Sequence, residues 1–431
     1  MMKFGVGTSC FKALLISLIV FGTLTACVTA PSPTVAPTRA QIINTYITIA
    51  QAGFADSLET AQQLEQAIDK LLATPSAATL KAAQDAWRAA RVPYLQTEAF
   101  RFGNAVVDEW ESKVNSWPLD EGLIDYVAPA YGLESDNNYF YTANIIGNSL
   151  LDIGGISVDA AIISPQLLAE TLHEIDGVPT NVATGYHAIE FLLWGQDLNG
   201  TNPGAGARVY TDYSLQQCTN GSCQRRRDYL KSATTLLVAD LDEMVQNWAE
   251  DGAATVALHS KGEAGGLATI LTGLGSLAYG ELAGERIRLG FLLHDPEEEQ
   301  DCFSDNTHWS HYYDAKGISN VYRGEYTRVN GTVIQGASLE QLIKSEAPAL
   351  HAEISARLEA TQLAMTTLVE LGEAGTTYDV LIGSNNAQGE ELINRIVAAL
   401  MEETRTIEKI INQLQLQNVS IEGSDSLPTP R

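Results

Sequence analysis

Gln41-Ile-Ile-Asn-Thr-Tyr46-Ile-Thr-Ile-Ala50-Gln-Ala-Gly-Phe54 carries the pattern that decides the fold. Ile42, Ile43, Tyr46, Ile49, Ala50 and Phe54 recur at steps of three and four, which gathers apolar side chains on one side of an α-helix. Leu64, Ile68, Leu71 and Leu72 continue it, and similar stretches fall at 77–101, 160–174, 185–196, 225–250, 265–293, 338–372 and 390–417. Alternation of period two is scarce. Only 319–335, with Val321-Tyr322, Tyr326, Val329 and Val333-Ile334, reads as a short hairpin. The expected class is all-α. Two helical bundles, 41–250 and 251–417, are expected because about 400 residues exceed what one core usually serves. The break is placed where Glu250-Asp251-Gly252 ends a helix. Phe191-Leu192-Leu193 and Phe291-Leu292-Leu293 echo one another and raise internal duplication. Two irregular stretches, 102–158 and 294–335, have the length of loops that pack over a site.

The ends of the chain read differently. Lys3 and Lys12 precede Ala13-Leu-Leu-Ile-Ser-Leu-Ile-Val-Phe21, an apolar run too short to span a bilayer. Leu24-Thr-Ala-Cys27 follows and resembles a bacterial lipobox, in which residues 1–26 leave and Cys27 carries the lipid. An ordinary secretory signal with a cysteine near its cleavage site is the alternative. Val28 after the cysteine, rather than an aspartate, suggests the outer membrane, facing the periplasm. Residues 27–40 hold three prolines and read as a tether. The tail 418–431 reads as disordered. The most apolar later segment, Gly265 to Gly280, would be only about 24 Å long as a helix, too short to cross a membrane.

The net charge is −27, and losing the two leader lysines makes it −29. So acidic a chain repels nucleic acid and gathers cations at its surface. Cys218 and Cys223 flank the turn-forming Thr219-Asn-Gly-Ser222, which points to a local disulfide in an oxidising compartment. Half of a metal site is the alternative, although no second cysteine pair completes it. Cys302 is left over and reads as a free, buried thiol.

Gly185-Tyr-His187-Ala-Ile-Glu190-Phe-Leu-Leu-Trp194 carries the sharpest chemical signal. On a helix His187 and Glu190 share a face, with Trp194 one turn on. An imidazole nitrogen beside a carboxylate oxygen suits iron or zinc. Spacing alone is weak: seven histidines in a glutamate-rich chain produce such pairs by chance, and a buried histidine paired with an acid would look the same. His294 and Glu297 repeat the spacing, but Pro296 stands between them. A second signal is Trp87, Arg91, Tyr94, Glu98 and Arg101, at steps of four, three, four and three. That stripe should be apolar if it faced a core; being aromatic and charged, it is expected to face a polar cavity. A third is Glu297 to His311, where Asp305, His308 and His311 are candidate ligands and Glu297 to Glu299 read as a solvated acidic loop. Glu281, Glu285 and Arg286 lie on a glycine-spaced helix suited to close helix approach. Glu170 and His173, set beside His187 and Glu190, raise a di-iron bundle, but the paired Glu-x-x-His set is incomplete. Other templates are missing: there is no HExxH, no GxSxG, and the 273–278 glycines follow no strand.

Gly185-x-His187-x-x-Glu190 matches the GxHxxE signature of the imelysin family, and the chain resembles that family well beyond the motif. The likeness takes in Trp87 to Gly103, Asn115 to Asp120, Cys218 to Tyr229, Gly280 to Arg286 and Asp301 to His308. It resembles in particular the iron-regulated, insulin-cleaving-metallopeptidase-like lipoproteins of bacterial envelopes. The resemblance implies a two-domain helical fold with a site near the junction, a link to iron uptake, and a historical place among metallopeptidases. His187 and Glu190 inherit the motif roles, with Gly185 needed for close packing; Glu98, Arg101, Asp305 and His308 are carried over as pocket residues.

Two functions follow as expectations. One is an envelope lipoprotein that binds iron or an iron complex, with iron-transport proteins as partners and no nucleic acid. The other is a metallopeptidase using the same site. The first is preferred because a catalytic zinc usually has three protein ligands and an activated water, and only two ligands are readable.

Overall fold

Thr38 starts the first helix. Its hydroxyl accepts the Gln41 amide while the Gln41 side chain accepts the Thr38 amide, a reciprocal cap that opens α1 (Arg39–Ala73). Ser76 and Thr79 repeat the device at α2 (Ala77–Leu95). The six apolar residues that define the sequence pattern are all buried along α1. The computed structural model describes residues 36–427 except 134 and 136. The expected leader, the lipid attachment at Cys27 and most of the 27–40 tether therefore lie outside the described residues.

α3 (Ala105–Asn115), α4 (Gly185–Trp194) and α5 (Cys223–Asn247) complete a first group around α1 and α2. After the short α6 (Ala253–Ser260), α7 (Gly262–Ser276) runs on through a widened π-type segment, Leu277–Leu289, to Gly290–Leu293. α8 (Thr307–Arg323), α9 (Leu339–Glu346), α10 (Pro348–Glu373) and α11 (Ala387–Gln413) form a second group with it. The fold is all-α, with two small antiparallel hairpins: β1 (Leu150–Ile153) with β2 (Ile156–Asp159), and β3 (Glu325–Thr327) with β4 (Val333–Gln335). The segment 250–262, where a boundary is expected, holds the short α6 and the turns on either side of it. Across it, however, α1 packs on α7 and α2 on α8, and one continuous core serves both groups. The echo between Phe191-Leu192-Leu193 and Phe291-Leu292-Leu293 is not structural. The first is wholly buried in α4, whereas Leu292 and Leu293 are about half exposed at a helix end.

Three other expectations change. The second irregular stretch, 294–335, contains α8; its first half turns His308, Ser310, His311 and Asp314 inward and its large apolar residues, Ile318, Val321 and Tyr322, come only in the second half, so no apolar period runs along it. Val321 and Tyr322 belong to that helix, and the hairpin is confined to 325–335. The tail is laid along α7 at least to Leu427. The Glu422 amide donates to Ser276 Oγ (3.0 Å) and Ser426 Oγ to the Gly284 carbonyl (2.9 Å). A methyl at Gly280 would lie 2.7 Å from the Glu422 carbonyl oxygen, and one at Gly284 would lie 2.3 Å from Ser424. Those glycines make room for the tail, not for a second helix. Among the described residues no helix is long and apolar enough to cross a membrane.

Tyr46, Phe54, Phe100, Trp110 and Trp248 interlock with ring centroids 4.7 to 6.5 Å apart. This aromatic cluster pins the Glu98–Phe100 turn between α1, α3 and the end of α5, which fixes where the polar stripe of α2 leads.

Candidate metal centre

Gly185 opens α4 with φ of +79°, and a methyl there would stand 2.4 Å from the Val114 carbonyl oxygen at the end of α3. Only glycine allows both the turn and the approach. Every residue of α4 is buried, so His187 and Glu190 project into the interior rather than into solvent. Trp87 Nε1 donates to the Tyr186 carbonyl (2.9 Å) and ties α4 to α2.

His187 Nδ1 lies 3.0 Å from Glu190 Oε2 and 3.9 Å from Asp301 Oδ1. Each of the three offers a ligand atom, all within 4.8 Å of one another. Asp301 comes from the loop before α8. Its amide donates to Thr307 Oγ1 (2.8 Å), and its Oδ2 accepts from Asn306 Nδ2 (3.0 Å) and from Ser310 Oγ. Arg91 Nη2 donates to its Oδ1 (2.9 Å), while Arg91 Nη1 donates to Asn115 Oδ1 (2.6 Å). The Ser304 amide donates to Glu190 Oε1 (3.0 Å). Each carboxylate is thus oriented by neighbours and keeps a face towards the imidazole.

The electrostatics are uneven. Burial, then Arg91, pull the His187 imidazole down to about 3, so it is neutral at physiological pH with a lone pair to give. Burial works to raise Asp301, but Arg91 outweighs it and the carboxylate stays below its ordinary range. Glu190 is pushed well above the carboxylate range, first by burial and then by the Asp301 charge. Arg91 balances Asp301, and Glu190 is left to its proton. His187 Nε2 is also buried without a partner. A neutral imidazole, an ionised carboxylate and a carboxyl that can give up its proton to an incoming cation form a donor set that fits iron or zinc.

A cleft of about 550 Å³ lies against this cluster, lined by Arg88, Arg91, Ser304, Asp305, His308 and Trp309 among others. Arg91 and Ser304 belong to both, so the cluster sits directly behind the cleft wall. The ligands themselves are closed off: His187 is 1% exposed, Glu190 and Asp301 0%.

Other residues singled out in the sequence lie elsewhere. The stripe on α2 does turn inward, with Trp87, Arg91, Tyr94 and Glu98 all buried, but the helix ends at Leu95 and Glu98 falls on the next turn. Glu98 meets Arg286 (2.7 Å), which also holds Glu281 (2.8 Å) and Asp314 (2.9 Å). Arg101 pairs with Asp108 (2.9 Å) and reaches Glu281 (3.4 Å). Glu98 and Arg101 therefore belong to a separate buried charge network. His308 lines the cleft, its Nε2 3.5 Å from Glu373, and Asp305 joins Glu299 and Asp379 in a second acidic group. Glu299, expected in solvent, is 1% exposed. His311 is wholly buried and neither ring nitrogen has a partner. Glu170 lies at the surface against Gln166 and His173 beside Thr184, so neither joins His187. Cys218 and Cys223 are disulfide-bonded, and Cys302 is free and buried. The sequence reading missed Asp301 as a ligand, Ser304 as the support of Glu190, and Asn115 as the partner that positions Arg91. Asp301 stands in a loop with no periodicity, and its one signal was its place in the segment shared with the family.

The family model for imelysin matches residues 50–407. The chain belongs to the imelysin family. Over 64 residues, 15% of its length, it is 45% identical to the iron-regulated protein A of Synechococcus elongatus, and that match spans 18% of the relative. The crystal structure of a candidate iron-regulated protein A precursor from Parabacteroides distasonis superposes with a TM-score of 0.63. That likeness covers 89% of this chain and 97% of the other at 18% identity, a likeness of fold alone. His187 and Glu190 of this imelysin-family chain lie at the centre of its buried donor set.

Proposed function

We propose that this imelysin-family protein binds iron, free or as a complex, through His187, Glu190 and Asp301, and works in iron uptake at the cell envelope. In this reading Cys27 carries a lipid that holds the chain at the outer membrane on the periplasmic side, where envelope iron-transport proteins are its partners. The observation that carries the reading is the buried set of three residues whose ligand atoms lie within 4.8 Å, with His187 Nε2 unpartnered, set behind a cleft. Names of similar proteins that mention iron regulation point the same way. Residue by residue, the imidazole of His187 and the Glu190 carboxylate would bind the ion, and Arg91 and Ser304 would hold Asp301 and Glu190 in place. Burial of all three ligands keeps water from competing for it. A peptidase would need a base free to activate water; Glu190, the natural choice, is fully buried and already takes the Ser304 amide.

The test is iron content after anaerobic loading of protein lacking residues 1–27, beside the His187→Ala/Glu190→Ala double variant. Near-stoichiometric iron in the first and none in the second supports binding. Equal trace iron in both refutes it. Chelator-sensitive cleavage of a defined peptide, lost in the double variant, would establish the enzyme instead.

A further inference from the structure

Six aspartates of the described residues are at most 1% exposed: Asp56, Asp125, Asp212, Asp301, Asp314 and Asp379. The first five each pair with an arginine, namely Arg328, Arg208, Arg208 again, Arg91 and Arg286. Asp379 pairs with none, and its oxygens, without a close hydrogen-bond partner, face only the Thr377 hydroxyl and the backbone amides of Asp379 and Val380. A carboxylate taken out of water without a counter-charge is costly, so five of the six obey the usual rule and the sixth needs an explanation.

Its neighbours supply one. Glu299 and Asp305 each offer an oxygen within the same 4.8 Å group, and Glu299 Oε1 and Asp305 Oδ1 are buried and unpartnered too. The Thr377 hydroxyl, buried and without a close hydrogen-bond partner, is turned towards the Asp379 carboxylate. Asp305 and Thr377 both line the 550 Å³ cleft, so the group is open to an incoming ion from that side. We propose that Glu299, Asp305 and Asp379, with Thr377 beside them, form a second cation site, made of oxygen alone, for a hard divalent ion of the calcium or manganese kind. The chemistry separates it from the His187 centre. Oxygen donors without nitrogen or sulfur select hard cations, and several carboxylates raise affinity for them. The two sites share the 299–306 loop: Glu299 and Asp305 belong to one, Asp301 and Ser304 to the other. An ion held by Glu299 and Asp305 fixes both ends of the segment that carries Asp301.

Equilibrium dialysis of purified full-length protein against calcium chloride tests this. The wild type is expected to take up one ion per chain saturably, with Asp379→Asn and Glu299→Gln each weakening it at least about tenfold. Asp379→Asn should leave iron binding at His187 intact, and His187→Ala should leave calcium uptake intact, so failure of one site is told apart from failure of the other. No saturable calcium uptake, or uptake unchanged by both substitutions, overturns the proposal. Manganese soaked into crystals of the wild type gives a reading free of any folding defect. An anomalous peak among the three carboxylates supports the site, and manganese bound only elsewhere, or not at all, overturns it.

Discussion

Two buried charge clusters lie at opposite ends of the polar stripe on α2, and they differ in how their charges close. Around Arg286 the account balances internally. Burial works to raise Glu281, yet Arg286 and Arg101 hold it below the ordinary range. Asp314 and Glu111 are pushed upward by burial and take protons instead of demanding cations. Around His187 one arginine faces two carboxylates, a neutral imidazole lends no charge, and a ring nitrogen is orphaned. Buried acids beside arginine make a brace in one place and, with an imidazole among them, a receptor in the other. What distinguishes them is the unpartnered imidazole nitrogen set among carboxyl oxygens that can serve as ligands.

The largest expected effect breaks the brace. Arg286→Met removes the partner of Glu98, Glu281 and Asp314 at once and should cost about 3–5 kcal/mol, read as a lowered urea midpoint. If stability barely moves, the Arg286 network is not what holds the two helix groups together. Next comes Gly185→Ala, which adds a methyl 2.4 Å from the Val114 carbonyl at a positive φ. About 2 kcal/mol or more should be lost, with loss of iron retention as α4 is forced from α3.

Glu403 shows what burial does with neither an arginine nor candidate ligands at hand. Its one partner is Thr361, whose hydroxyl donates at 2.6 Å, and burial raises the carboxyl to about 7. Because the folded state holds this proton more tightly than the unfolded chain, stability should fall as pH rises from about 4.3 through about 7. Glu403→Gln should flatten that slope and gain roughly 1–3 kcal/mol at pH 8, checked by urea melts at several pH values. An unchanged slope would mean that burial alone does not set the carboxyl's proton.

The smallest effect on the metal-free fold belongs to Glu190→Gln. The wild-type carboxyl is pushed towards its neutral form, so an amide of the same shape should cost under ~1 kcal/mol. With iron present the contrast widens. At a hundred times the dissociation constant the wild type should gain about 2.7 kcal/mol and the variant nothing. Equal gains would show that iron stabilises the protein from some other place.

The all-α class was legible because long amphipathic helices such as α1 write their burial into a period of three to four. α8 escaped because its first half turns His308, Ser310, His311 and Asp314 inward, polar residues that write no apolar period, and Ile318, Val321 and Tyr322 follow only in its second half. The tail escaped for a related reason: its anchorage is a row of missing side chains on α7, and glycines read equally well as helix-packing sites. At the site, His187 and Glu190 were readable since one turn of helix brings them together. Asp301 lies 111 positions beyond Glu190 in an irregular loop, where only folding reveals the contact. The α2 stripe was half readable: it does face inward, but the break after Leu95 sends Glu98 and Arg101 to a different cluster from Arg91.

The most direct test of the central claim is anomalous diffraction at the iron edge from crystals of iron-loaded protein. The account predicts a peak bounded by His187, Glu190 and Asp301. Iron bound at full stoichiometry with no peak among those three side chains would contradict it.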